Sequence, residues 1–189
     1  MSGRQSAIFG GGCFWCLEAV FQGLRGVTAV TSGYMGGHVA SPSYEQVCGK
    51  DTGHAEVVRI EFDPAVIDYS TLLTVFFAIH DPTTRDRQGN DVGPQYRSAI
   101  FALNADQMTA SEQMIHTMRP SFSNPIVTQL TAAFDVATGA PSPATEHVFW
   151  PAEPEHHDYF RRHPGQGYCM FVVAPKVAKA KAEFSALLA

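Results

Sequence analysis

The order in which hydrophobic periodicities follow one another over the first hundred residues restricts this chain more than any other feature. Ala7–Gly10 reads as a short apolar strand running into Gly10-Gly11-Gly12. From Cys13 to about Gly23, Phe14, Leu17, Phe21 and Leu24 recur at helical spacing. Val27–Tyr34 alternates as a strand and breaks at Gly36-Gly37. His54–Phe62 alternates most clearly, with Val58, Ile60 and Phe62 on one face and Arg59 and Glu61 on the other. An apolar helix follows over Tyr69–His80, opened by Asp68 or Ser70 as a cap and stopped by Asp81-Pro82. Tyr96–Leu103 is a strand again. This β-α-β-β-α-β order is the split unit of ferredoxin-like folds. It predicts an α+β protein, a two-layer plait with helices packed on a mixed sheet, plus extra elements and long loops.

The extra elements begin at residue 104. Asn104 and Gln107 have the capping-box spacing, opening a helix to about Arg119 that Pro120 ends. Ile126–Phe134 alternates as a strand, Glu153–Arg162 reads as a short helix, and Val177–Leu188 as a terminal one. Neither repeat, low-complexity tract nor linker interrupts the order, so residues 1–189 are expected to form one domain, its core spanning about 7–175. Segments 35–53, 81–95 and 135–152 are too long for plain turns, and their polar and aromatic content points to function.

A composition of 45% hydrophobic and 16% charged residues can bury a core. With a net charge of −5 and scattered Lys and Arg, there is no electrostatic footprint for nucleic acid or an anionic membrane. Apolar runs stay far below the roughly 20 residues a membrane span needs. Four cysteines and no visible leader point to a reducing, cytoplasmic setting, where a cysteine pair means redox chemistry or metal. A monomer is the default.

The strongest local signal is Gly10-Gly11-Gly12-Cys13-Phe14-Trp15-Cys16. A thiol at the first turn of a helix meets unpaired N–H groups and the positive end of the macrodipole, which favour the thiolate. The glycines let backbone approach a ligand closely. Cys16, one turn on, is near enough to close a disulfide. A phosphate loop fails, because Trp15 stands where G-x-G-x-x-G needs its last glycine. A zinc site could recruit Cys13 and Cys16 with two of Cys48, His54, His156, His157 or Cys169, but no second pair has the matching spacing. Counting by twos from Phe62 reaches Glu56, whose carboxyl then faces the apolar side with a raised pKa, unless the strand begins later and Glu56 is solvated. His38, His54 and His80 lie at element ends, where capping or packing is the commoner role; His147, His156, His157 and His163 read as exposed. No histidine is assigned to catalysis.

Longer stretches carry a resemblance. Gly12-Cys13-Phe14-Trp15-Cys16-Leu17-Glu18, Ser32-Gly33-Tyr34-Met35-Gly36-Gly37, Tyr44-Glu45-Gln46-Val47-Cys48, Thr52-Gly53-His54-Ala55-Glu56-Val57, the run from His80 to Ile100, and Gly167-Tyr168-Cys169 are similar to the A class of peptide methionine sulfoxide reductases, in order and spacing. The resemblance implies that Cys13 is the nucleophile and Glu56 the acid at the sulfoxide oxygen. It implies that Phe14 and Trp15 receive the substrate methyl, while Tyr44, Asp91 and Tyr96 complete the hydrogen bonding. The substrate implied is methionine-S-sulfoxide, free and in proteins, with no bound cofactor or metal. Thioredoxin, or dithiothreitol in vitro, would be the external reductant. Cys16 is favoured as the resolving thiol, with Cys169 an alternative or a second shuttle, and Cys48 is expected to pack as a small apolar residue. Cys16 itself replaces a glycine common in the family; Pro94, Trp150 and Pro154-Glu155 also depart from the usual pattern, all at the outer substrate rim. A rival function, general thiol–disulfide exchange by Cys13 and Cys16, would not need Glu56.

Overall fold

The computed structural model describes residues 3–189. In chain order its elements are β1 (Gln5–Gly10), α1 (Phe14–Phe21), β2 (Val27–Met35), α2 (Tyr44–Cys48), β3 (Ala55–Phe62), α3 (Tyr69–Ile79), β4 (Arg87–Gln88), β5 (Asp91–Val92), β6 (Ala99–Ala102), α4 (Ala105–Met118), β7 (Gln129–Ala132), β8 (Trp150–Pro151), α5 (Tyr159–Arg162) and α6 (Ala174–Glu183). Six strands form one sheet in the order β7-β6-β1-β3-β2-β8. Its inner four, β6-β1-β3-β2, run antiparallel to one another, as the split unit requires. Strand β7 lies parallel to β6, which makes the sheet mixed. Among the described residues no helix is long and apolar enough to cross a membrane.

The two-residue period of β3 divides the core. Val58, Ile60 and Phe62 pack with Phe14, Leu17 and Phe21 of α1 and Leu72 and Phe76 of α3. Ala55 and Val57 join Ile8, Met35, Ala99 and Phe101 on the opposite face, which Leu103 and Phe149 cover. On the helix side the Phe9 ring stacks on Phe76 at 4.9 Å and tilts against Phe21 at 5.9 Å. Each such buried ring contributes about 1.5–3 kcal/mol by leaving water. The Asp68 and Asn104 side chains cap α3 and α4, accepting from the N–H groups of Thr71 and Gln107.

Several boundaries differ from expectation. The strand expected over Tyr96–Leu103 is confined to Ala99–Ala102, because Pro94–Tyr96 winds into a 3-10 turn. The following strand shrinks from Ile126–Phe134 to Gln129–Ala132, the stretch that finds partners on β6. Segment 35–53 contains α2, closed by a reciprocal capping box between Ser43 and Gln46. Segment 81–95 contains the β4–β5 hairpin. The helix expected over Glu153–Arg162 is broken: Pro154–His156 is a 3-10 turn, and Asp158, left-handed at φ 55°, intervenes before α5. At the C-terminus a π-turn over Cys169–Val173 leads into α6, which stops at Glu183 instead of running to Leu188.

The glycines before Cys13 admit protein, not ligand. A Cβ on Gly11 would stand 3.0 Å from the Phe76 ring, and one on Gly12, whose φ is +97°, 2.7 Å from Gln88 Cγ. The Gln88 side chain in turn pairs with both backbone polar groups of Asp81, tying down the hairpin. Gly12→Ala is therefore expected to cost about 2 kcal/mol from strain and collision, roughly 4–8 °C in Tm for a chain of this length. Thermal unfolding followed by circular dichroism measures it; an unchanged Tm would mean that the turn is not under this constraint.

Candidate active site

Helix α1 begins without a side-chain cap from its own sequence. Cys13 is the N-cap residue, with extended backbone, and not a member of the first turn as expected; its carbonyl accepts from Cys16 N–H at 3.1 Å. The Phe14 N–H, which has no partner within the helix, donates to Glu56 Oε2 at 3.0 Å. Glu56 reaches this point because β3 holds it in register opposite Tyr34, on the face that bears Val58 and Ile60. The strand thus begins early enough for Glu56 to point inward.

Glu56 is 1% exposed. Burial pushes its carboxyl up to about 8, with the charges of Asp91 and Cys16 adding to the rise and the Phe14 N–H opposing it. At neutral pH it is a carboxylic acid, and with Oε2 accepting, its proton belongs on Oε1.

The thiol pair differs from the expectation of a Cys13 thiolate. Cys13 is 8% exposed, and burial raises its thiol pKa well above the ordinary range; its hydrogen bond to Cys16 and the charge of Glu56 push the same way. Cys16 is held low by the hydrogen bond that Cys13 gives it. Of the two thiols, Cys13 therefore holds its proton the more firmly and Cys16 ionises the more readily. Desolvation at the N-cap outweighs the helix dipole there.

The other expected residues gather around this pair. Tyr96 is held above the usual phenol range by burial and then by the charges of Glu56, Asp91 and Cys13. Tyr44 is raised by burial and then by Glu56. Asp91, on β5, accepts from the Tyr168 hydroxyl at 2.5 Å. Cys169 is wholly buried; burial raises its thiol, and next the charge of nearby Cys16. Cys48 does more than pack, since its thiol hydrogen-bonds with the Tyr44 side chain. The Phe14 ring lies 6.5 Å from Trp15, 6.4 Å from Tyr44 and 5.7 Å from Tyr34.

Residues from segment 153–168 join the site without a role assigned to them from the sequence. Glu153 accepts from the Tyr34 hydroxyl at 2.8 Å through one oxygen and from the Tyr44 N–H at 2.6 Å through the other. Tyr159 lies flat on Trp15 at 3.8 Å, and Tyr168 meets the indole edge-on at 5.8 Å. His156, expected to be exposed, is 7% exposed, its ring 4.4 Å from Tyr44. The only sequence signal was the density of His, Tyr and Glu in this segment. His54 and His80 serve structure and not chemistry: His54 Nδ1 accepts from Gly37 N–H, and His80 Nδ1 donates to the Phe76 carbonyl. Among the described residues no three His, Cys, Asp or Glu side chains gather as a metal site.

Two neighbouring thiols beside a buried neutral acid, in an aromatic enclosure, are the equipment of a thiol-dependent oxidoreductase. Comparison with known proteins narrows the class. The pattern of the family described as "Peptide methionine sulfoxide reductase" matches residues 5–187. The chain is 55% identical over 183 residues to "Peptide methionine sulfoxide reductase MsrA" of Ralstonia nicotianae, covering 96% of this chain and 91% of the relative. It is 51% identical to the protein of the same description in Acinetobacter baumannii, over 97% of this chain and 98% of that one. Among solved structures, methionine sulfoxide reductase A of Corynebacterium diphtheriae superposes with a TM-score of 0.79 at 30% identity, over 90% of this chain and 80% of that one. The chain belongs to the peptide methionine sulfoxide reductase family. It is an oxidoreductase that reduces methionine sulfoxide.

Proposed function

We propose that Cys13 attacks the sulfur of methionine-S-sulfoxide, free or in proteins, while Glu56 protonates its oxygen. One observation carries this reading: a buried carboxyl with its pKa pushed to about 8 accepts from the N–H of the residue next to Cys13. A sulfoxide sulfur is a poor electrophile because its oxygen leaves badly, so supplying a proton to that oxygen is the difficult part. Tyr44 and Tyr96, both near Glu56, would hydrogen-bond the same oxygen. Asp91 would hold Tyr168 and with it the wall of the site. Phe14 and Trp15 would receive the methyl group, and the orientation this imposes separates the epimers.

Cys13 gives up its thiol proton to solvent and becomes the nucleophile, while Cys16 stays a thiol. A bond forms from Cys13 sulfur to the sulfoxide sulfur as Glu56 gives its proton to oxygen. Collapse of the adduct transfers the hydroxyl to Cys13, so methionine leaves reduced and Cys13 becomes a sulfenic acid. The Cys16 thiol displaces water from that acid and the pair becomes a disulfide, while Glu56 regains its proton from solvent. The hydrogen bond already joining the two thiols supports Cys16 as the resolving residue; the nearness of Cys169 to Cys16 supports a second exchange between them. A thioredoxin-type dithiol then supplies the two electrons. We assign residues 1–189 to one reductase domain acting as a monomer in the cytoplasm, where the thiols stay reduced.

The test supplies separate S and R epimers of methionine sulfoxide with dithiothreitol. Consumption of the S epimer alone is expected; equal consumption of both, or of neither, would overturn this assignment.

A further inference from the structure

Phe14, Trp15 and Tyr44 are the rings given to substrate above, and a fourth ring touches all three. The centroid of His156 lies 4.4 Å from Tyr44, 5.4 Å from Phe14 and 5.9 Å from Trp15. Its ring stacks within 23° of the indole plane. His156 therefore borders all three of the rings given to substrate. The backbone holding it is fixed: the 3-10 turn Pro154–His156 is anchored at Glu153, which ties to Tyr34 and to the Tyr44 backbone.

A second observation separates shape from hydrogen bonding. His156 Nδ1 is buried without a partner, and Nε2 stands 3.9 Å from Glu153, beyond hydrogen-bond distance. A histidine kept for a polar network would have both nitrogens paired, as His54 and His80 do. At position 156 the contacts that remain are those of the ring's faces and edges. Burial holds the imidazole neutral, so it behaves as a small flat wall.

We propose that His156 is a specificity-determining residue that sets the size of the S-alkyl group the enzyme accepts, closing the aromatic slot to groups larger than methyl. The proposal rests on the assignment of Phe14 and Trp15 to the substrate methyl. Removing the ring opens room for at least one further methylene, a difference worth about 10-fold or more in discrimination.

The experiment compares kcat/KM for the S-sulfoxides of N-acetylmethionine and N-acetylethionine, with dithiothreitol as reductant, in the wild type and in His156→Ala and His156→Asn. The ethyl-to-methyl ratio is expected to rise about 10-fold or more in the alanine variant, through a lower KM for the ethyl substrate, and by less in the asparagine variant. Loss of the ring as mere structural support would depress kcat for both substrates and leave the ratio alone. Should the alanine variant fail to fold, the asparagine variant carries the measurement. An unchanged ratio in a folded, active variant overturns the role of His156 alone. A wild-type enzyme without turnover of the methyl substrate overturns the assignment beneath it.

Discussion

A Cys13→Ser protein is expected to show no turnover, a loss of at least about 10⁴-fold in kcat, because a serine hydroxyl has neither the acidity nor the nucleophilicity of the thiol it replaces. Its fold should be untouched: Cys13 serves as N-cap through its backbone, without a side-chain hydrogen bond, and serine is itself a good N-cap residue. The measurement is release of methionine with dithiothreitol in excess, alongside a circular dichroism melt. Residual activity within 10-fold of wild type would remove Cys13 from the chemistry. The companion variant isolates the second half of the cycle. Cys16→Ser leaves Cys13 as a sulfenic acid after one turnover, so about one methionine per enzyme is expected with thioredoxin. Steady turnover in that variant would transfer the resolving role to Cys169.

Glu56→Gln carries the second large effect. Glutamine keeps the shape and can still accept from the Phe14 N–H, but it has no proton to give. General-acid catalysis of this kind is worth about 10²–10⁴-fold, and a fall of that size in kcat/KM is expected. The wild type should lose activity as pH rises through about 8, where the acid ionises, and the variant should lack that limb. Full activity in the variant would favour simple thiol–disulfide exchange.

Stability should move the other way. The folded-state pKa of Glu56 is raised, from 4.5 to about 8. Its contribution is whole below about 4.5, diminishes as pH rises, and is gone once pH passes about 8. At pH 7 the unfolded chain carries this carboxyl ionised while the folded one keeps it protonated, a difference of about 3 kcal/mol. Glutamine has no such dependence, so the variant should be the more stable protein at pH 7 and lose that advantage toward pH 4. Urea unfolding at the two pH values checks this, and parallel curves would place Glu56 in a wetter environment than its burial indicates.

The inner strands and the two packed helices α1 and α3 were legible from periodicity, because a strand's alternation is a local property that burial of one face preserves, but periodicity left Glu56 open between the apolar face and solvent. The segment after Trp150 was not legible. Pro154 and the left-handed Asp158 break what looked like a helix, and that break lets His156 and Tyr159 turn toward Trp15. Nor did the position of Cys13 at the start of a helix reveal its protonation. The local dipole favours a thiolate, but the burial that opposes it comes from elements far away in sequence.

By itself, the sequence determined the layered architecture and the set of chemical groups, because side-chain spacing and residue type act over a few neighbours. Only the tertiary structure decided which sulfur ionises the more readily, that Glu56 stays neutral, and which rings gather beside Cys13. Those outcomes depend on solvent exclusion and on charges summed over elements that meet only when the sheet and its covering segments are assembled.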